Sequence, residues 1–130
     1  MEQMRVLLVD DEEELITTLV ERLEIRGHSA IGVLTGQEAI ARVQEEAFDI
    51  AVLDVKMPGE DGVEIMKRIK RIRPGLPIIL LTGHMSEEAN DRGMQAGADD
   101  YIIKPVDIED LVVKMRRAVV AARGADGERR

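Results

Sequence analysis

Val6–Leu15 reads VLLVDDEEEL, four apolar residues running directly into five consecutive carboxylates, Asp10 to Glu14. A short run with no polar alternation is the pattern of a strand covered on both faces, as in the centre of a parallel sheet. The acids that end it repel one another and need a reason. Either they are solvated residues opening a helix, or a cation sits above the end of the run.

Outward from this segment the pattern repeats. Runs at Arg5–Val9, Ser29–Val33, Phe48–Leu53, Pro77–Thr82 and Tyr101–Ile103 predict strands, and "IAVL" and "IILL" are as continuously apolar as "VLLV". Between them lie segments of helical period. Ile16, Leu19, Val20 and Leu23 form the first stripe, stopped by Gly27. "GQEAIARVQEEA" turns Ala39, Ile40 and Val43 inward, and "GVEIMKRIKRI" offers Val63, Ile65, Met66, Ile69 and Ile72 before Pro74. "SEEANDRGMQAG" is capped by Ser86 and ends at Gly97; it has few apolar residues and an internal Gly93, which predicts the least stable helix. The last, "DIEDLVVKMRRAVVAA", places Leu111, Val112, Met115, Val119 and Val120 inward. Five strand–helix repeats predict an α/β fold, a parallel sheet with helices on both faces joined by right-handed crossovers. The pattern alone does not order the strands. Residues 1–123 read as one domain, and "GADGERR" from residue 124 as a flexible tail or the start of a linker.

At 130 residues the chain suits a single core. Hydrophobic residues make up 45% and aromatics 2%, so that core must be aliphatic. The absence of cysteine excludes disulfides and thiolate metal sites and fits a cytoplasmic location. A net charge of −8 disfavours direct binding of nucleic acid, whose affinity depends on neutralising phosphates. The basic clusters "KRIKRIR" and "KMRRAVVAAR" fall late in predicted helices, where cations suit the helix dipole. No apolar run approaches the ~18 residues of a membrane span, and no signal peptide is expected from "MEQMRVLLVDDEEE".

Open α/β sheets build sites beyond the carboxyl ends of their strands. Asp10 and Asp11 follow the first run, Asp54 the third, Thr82 ends the fourth, and Lys104 with Pro105 follows the fifth. Three carboxylates brought together cannot all ionise cheaply. A divalent cation removes that penalty, and magnesium suits hard oxygen ligands while keeping water positions that phosphate oxygens can take. With Lys104 and Thr82 to meet phosphoryl oxygens, Asp54 is the candidate nucleophile for phosphoryl transfer.

"LLVDDEEE", "VLDVKMPGEDG", "ILLTGH" and "YIIKPVD" together resemble the receiver domain of two-component response regulators, of the chemotaxis and sporulation single-domain type. The resemblance covers Arg5 to about Arg123 and implies a flavodoxin-like, doubly wound five-stranded parallel sheet of order 2-1-3-4-5 with five helices in three layers. It implies Asp54 as phosphoacceptor. Asp11, Asp54 and the Lys56 backbone carbonyl would be magnesium ligands, with Asp10 reaching the metal through water. Thr82 and Tyr101 would be a switch pair, Lys104 the phosphate-pairing lysine, and the Lys104–Pro105 peptide cis. His84 and Lys56 would line the site rim, whereas His28 lies at a helix end. Leu15, Thr18, Pro105 and Val106 would contact a sensor histidine kinase or histidine phosphotransfer protein. A downstream protein or output domain would read the switch, as a monomer or a phosphorylation-dependent dimer, in a stand-alone receiver or one cut from a longer regulator. Such a domain is a phosphoacceptor switch rather than an enzyme.

Two other classes share parts of this pattern. Haloacid-dehalogenase-type phosphatases also use a strand-end Asp and magnesium, but need a second Asp where this chain has Lys56. A flavodoxin needs a hydroxyl- and glycine-rich phosphate loop where this chain has "DDEEE".

Overall fold

The computed structural model describes residues 3–83 and 87–128, with the backbone alone for 87–90 and 125–128. His84 and Ser86 therefore lie outside the described residues. Five parallel strands, β1 Arg5–Val9, β2 Ser29–Val33, β3 Ile50–Asp54, β6 Ile78–Thr82 and β7 Asp100–Ile103, pair in the order β2-β1-β3-β6-β7. Counting these strands alone, this is the expected 2-1-3-4-5. A short hairpin, β4 Lys56–Met57 against β5 Glu60–Asp61, interrupts the count.

The continuous apolar runs are explained by two cores, one on each face of the sheet. Leu7, Val9, Ala51, Leu53, Ile78 and Leu80 face α2 (Gly36–Glu45) and α3 (Gly62–Ile72). Their alternate neighbours Val6, Leu8, Ile50, Val52, Ile79 and Leu81 face α1 (Glu13–Ile25) and α5 (Ile108–Glu128). Gly27 and Gly97, the foreseen helix stops, have φ of 87° and 112°, a region where a Cβ is strained.

Several expectations needed correction. Val120 is 68% exposed rather than inward, because it lies about two and a half turns beyond the buried Leu111 and so on the opposite side of α5. β3 runs one residue further than foreseen, making Asp54 the last residue of the ladder, opposite Leu81 of β6. Phe48 lies outside the strand, with the Arg5 guanidinium 5.2 Å from its ring centroid. Where a tail or linker was expected from residue 124, α5 continues to Glu128. Gly93 in α4 (Glu87–Gln95) has a packing reason, since a Cβ there would stand 2.4 Å from Leu80 Cδ1. Among the described residues no helix is long and apolar enough to cross a membrane.

Candidate functional site

The carboxyl ends of β1, β3 and β7 meet at one edge of the sheet. Asp10, wholly buried, follows β1 and is tied to β2 through its N–H, which donates to the Val33 carbonyl at 3.2 Å. Its Oδ1 accepts the Glu12 N–H at 2.9 Å. Asp54, 5% exposed, uses the same device: its Oδ1 accepts the Lys56 N–H at 3.2 Å. In each case an Asx-type turn occupies one oxygen and leaves Oδ2 facing the site. Asp11 is exposed beside them, and one oxygen from each of Asp10, Asp11 and Asp54 lies within 4.8 Å of the others.

The Lys104 ammonium enters this group from β7. It stands 2.8 Å from Asp10 Oδ2, 3.0 Å from Glu12 Oε1 and 3.5 Å from Asp54 Oδ2. The contact with Asp10 Oδ2 is a charge contact off the hydrogen-bond axis, so this buried oxygen has no aligned donor among the described residues. The Lys104 N–H donates to the Thr82 carbonyl at 2.7 Å, and the Lys104–Pro105 peptide is cis, as foreseen.

Burial, and then repulsion from Asp10, push the Asp54 carboxyl up to about 6, although Lys104 and the Lys56 N–H oppose the rise. Burial alone would lower Lys104, but its three carboxylate neighbours outweigh that and hold it above the ordinary lysine range. An uncompensated acid cluster around one ammonium is the electrostatic signature of a place for added positive charge. Oxygen ligands ~2.0–2.1 Å from one ion can be at most about 4.2 Å apart. The acid trio is close to that spacing, and Asp10 Oδ2, buried and without an aligned hydrogen-bond donor, is one of its oxygens, so the residues fit a small hard cation.

Thr82 is buried at the end of β6, opposite Ile103, while Tyr101 is opposite Leu80. Register therefore puts Thr82 and Tyr101 on the same face of the sheet, with the half-buried Tyr101 packed against the core of that face. Lys114 of α5 donates to the Tyr101 carbonyl at 3.0 Å, with its ammonium 5.8 Å from the ring centroid. Lys56 carries an exposed side chain on β4. Leu15, Pro105 and Val106 line one cleft together with Glu12 and Lys104. Thr18 lines a separate hollow with Glu13, Glu14 and Thr17. His28 lies away from the site, its Nδ1 accepting the Met4 N–H at 3.0 Å, and burial lowers its pKa.

Sequence reasoning missed three participants. Glu12, one of the five acids that end the first apolar run, reaches Lys104. Glu60 of the hairpin accepts the Gly36 N–H at 2.8 Å, tying α2 to the loop after Asp54. Asp61 caps α3 by accepting the Val63 N–H at 2.9 Å and pairs with Arg92 of α4 at 2.6 Å. Only Asp61 had a readable signal, since Asp61 and Glu64 have the spacing of a capping box.

A cavity of about 380 Å³ lies at the opposite end of the sheet, lined by Phe48, Ile72, Leu76 and Val119 among others. Its charged groups are engaged elsewhere: Glu46 pairs with Arg5 and Arg42, and the Arg73 Nε donates to the Val43 carbonyl. The chemistry sits at the acid edge.

A doubly wound sheet with buried carboxylates and a lysine converging beyond its strand ends defines a class of α/β domain that builds its site at that pole. The comparisons make the class specific. The response regulator receiver domain family matches residues 6–116, and the chain belongs to that family, the receiver domains of two-component response regulators. It is 35% identical over 113 residues to the transcriptional regulatory protein TcrA of Mycobacterium tuberculosis, covering 87% of this chain and 45% of TcrA. The CheY-like receiver domain protein from Methanospirillum hungatei superposes with a TM-score of 0.89 at 31% identity, covering 95% of this chain and 99% of that one. The BeF3-activated DrrB receiver domain gives a TM-score of 0.81 at 35% identity, covering 91% and 98%. The chain spans about half the length, or less, of the curated relatives it matches.

Proposed function

We propose that the chain accepts a phosphoryl group onto Asp54 from the phosphohistidine of a sensor histidine kinase or phosphotransfer protein, and that the resulting acyl phosphate switches its surface. The observation that carries this is the buried Asp54 carboxylate with one oxygen fixed by the Lys56 N–H and the other facing Lys104. Oδ2 attacks phosphorus, the phosphorus–nitrogen bond breaks, and its electron pair leaves with the imidazole ring, which picks up a proton. Lys104, held between acids, turns to a phosphoryl oxygen, and Thr82 hydrogen-bonds another. Asp10, Asp11, Asp54 and the Lys56 carbonyl would hold a magnesium ion, which when bound supplies the positive charge that lets a phosphoryl dianion approach these acids. Thr82 moving toward the phosphoryl group makes room for Tyr101 to turn inward on the same sheet face, a shift of a pre-existing equilibrium.

The cleft of Glu12, Leu15, Lys104, Pro105 and Val106 is the surface we assign to the phosphodonor, with Thr18, in the separate hollow of α1, as a further contact. A downstream protein or output domain would read the Tyr101 face, in the cytoplasm, with the domain acting as a phosphoacceptor rather than a turnover enzyme. The phosphatase alternative has no support in the relatives, and Lys56 cannot serve as its general acid. Incubation with acetyl phosphate and magnesium should add one phosphoryl group to the intact mass. That addition should be lost with chelator and in Asp54→Ala; uptake undiminished in Asp54→Ala would refute the assignment.

A further inference from the structure

We propose that Glu12 is a positioning residue that restrains Lys104 in the unphosphorylated protein and slows its transfer to the incoming phosphoryl group, an inference that rests on Asp54 as acceptor. Glu12 occupies the N-cap of α1, yet its side chain makes no capping hydrogen bond to its own helix. It lies instead with Oε1 3.0 Å from the Lys104 ammonium. Its placement is not incidental, because Asp10 Oδ1 accepts the Glu12 N–H at 2.9 Å and so fixes the backbone of Glu12 at the mouth of the site. The ammonium is thus 0.5 Å nearer Glu12 than Asp54, from the 3.0 and 3.5 Å separations.

Asp10 and Glu12 differ in what happens next. A cation among the acids draws on the charge of Asp10, leaving Glu12 as the resting partner of Lys104. To meet a phosphoryl oxygen, Lys104 must loosen that contact. The Glu12 side chain is 60% exposed, so water can replace the lysine cheaply. Exposed pairs of this kind change an equilibrium by up to about fivefold, a brake weak enough to release on phosphorylation.

Glu12→Gln keeps the length of the side chain and removes its charge. At saturating magnesium and limiting acetyl phosphate, it should raise the rate constant for phosphorylation about threefold. The same substitution in a Lys104→Ala background should change the rate little, because the effect runs through the lysine. An unchanged or slower rate in Glu12→Gln would overturn the proposal. So would an equal gain in the Lys104→Ala background, which would mean Glu12 acts by repelling the donor. A second readout needs neither metal nor phosphate: the Lys104 ammonium resonance, followed by 15N NMR in the metal-free protein, should shift in Glu12→Gln. A fixed resonance would overturn the restraint itself. A shifted resonance in a protein that takes no phosphoryl group on Asp54 would leave the ion pair standing and place the failure in the assignment of the acceptor, which removes the brake's role.

Discussion

Asp54→Asn is expected to stabilise the metal-free protein at pH 7.5 by on the order of 1–3 kcal/mol, a rise in Tm of roughly 3–10 °C. The group is buried, and its carboxyl is pushed from 3.8 up to about 6 by burial and by Asp10. For an acid raised on folding, the favourable protonated state is fully populated in the folded protein below pH 3.8, and that contribution is lost as pH rises through about 6. Above this window the wild type holds an ionised carboxylate that the fold disfavours, whereas asparagine does not. The advantage of Asp54→Asn should therefore be large at pH 7.5 and shrink toward zero near pH 4, read from thermal melts across that range. Magnesium should narrow the gap at pH 7.5, because ligand binding to the folded wild type stabilises it by mass action. A gap independent of pH would mean that Asp54 is not the strained charge.

Gly62→Ala should have a larger effect of the opposite sign. A Cβ at Gly62 would stand 2.2 Å from the Asp54 carbonyl oxygen and 2.7 Å from both Val55 Cα and the Val55 carbonyl oxygen. All three are backbone atoms, and the Gly62 N–H already donates to the Val55 carbonyl at 2.8 Å, so the joint between hairpin and α3 cannot swing away freely. Overpacking of this kind costs roughly 1–3 kcal/mol and occasionally more, and contacts with backbone atoms place Gly62→Ala at or above the upper end. The urea midpoint should fall at unchanged slope, and magnesium affinity should fall with it because Asp54 is displaced. Gly75→Ala is the control: a Cβ there meets nothing within 4 Å and should leave the midpoint within error. Equal midpoints for the two variants would show that the backbone at Asp54 yields without cost.

The sheet was legible because each central strand is buried on both faces, which leaves no room for polar residues until the chain leaves the sheet. The acids at Asp10 and Asp54 were legible for the same reason, since they are the first charges after such runs. Glu12 was not. It stands in a row of five carboxylates, and the side chain that turns back to Lys104 is selected by the Asp10–Glu12 backbone contact, which no pattern of residue types displays. Glu60 was hidden likewise: its partner is the Gly36 N–H, 24 residues away in sequence, and backbone donors look alike in any sequence. Gly93 was read only as a weakness of its helix; the close approach of Leu80 depends on how α4 seats on β6, which no residue pattern displays. Val120 shows the limit of composition: like Val113, it is an apolar residue on the outer side of α5, away from the buried Leu111 and Met115.

The central claim is that a crowded, buried carboxylate at the end of β3 takes up the phosphoryl group. Borohydride reduction of the phosphorylated protein followed by peptide mass mapping tests it most directly, since hydride converts an aspartyl phosphate to homoserine. The expected result is homoserine at position 54 and intact aspartate at positions 10 and 11. Homoserine at either of those positions, with Asp54 unmodified, would contradict the account.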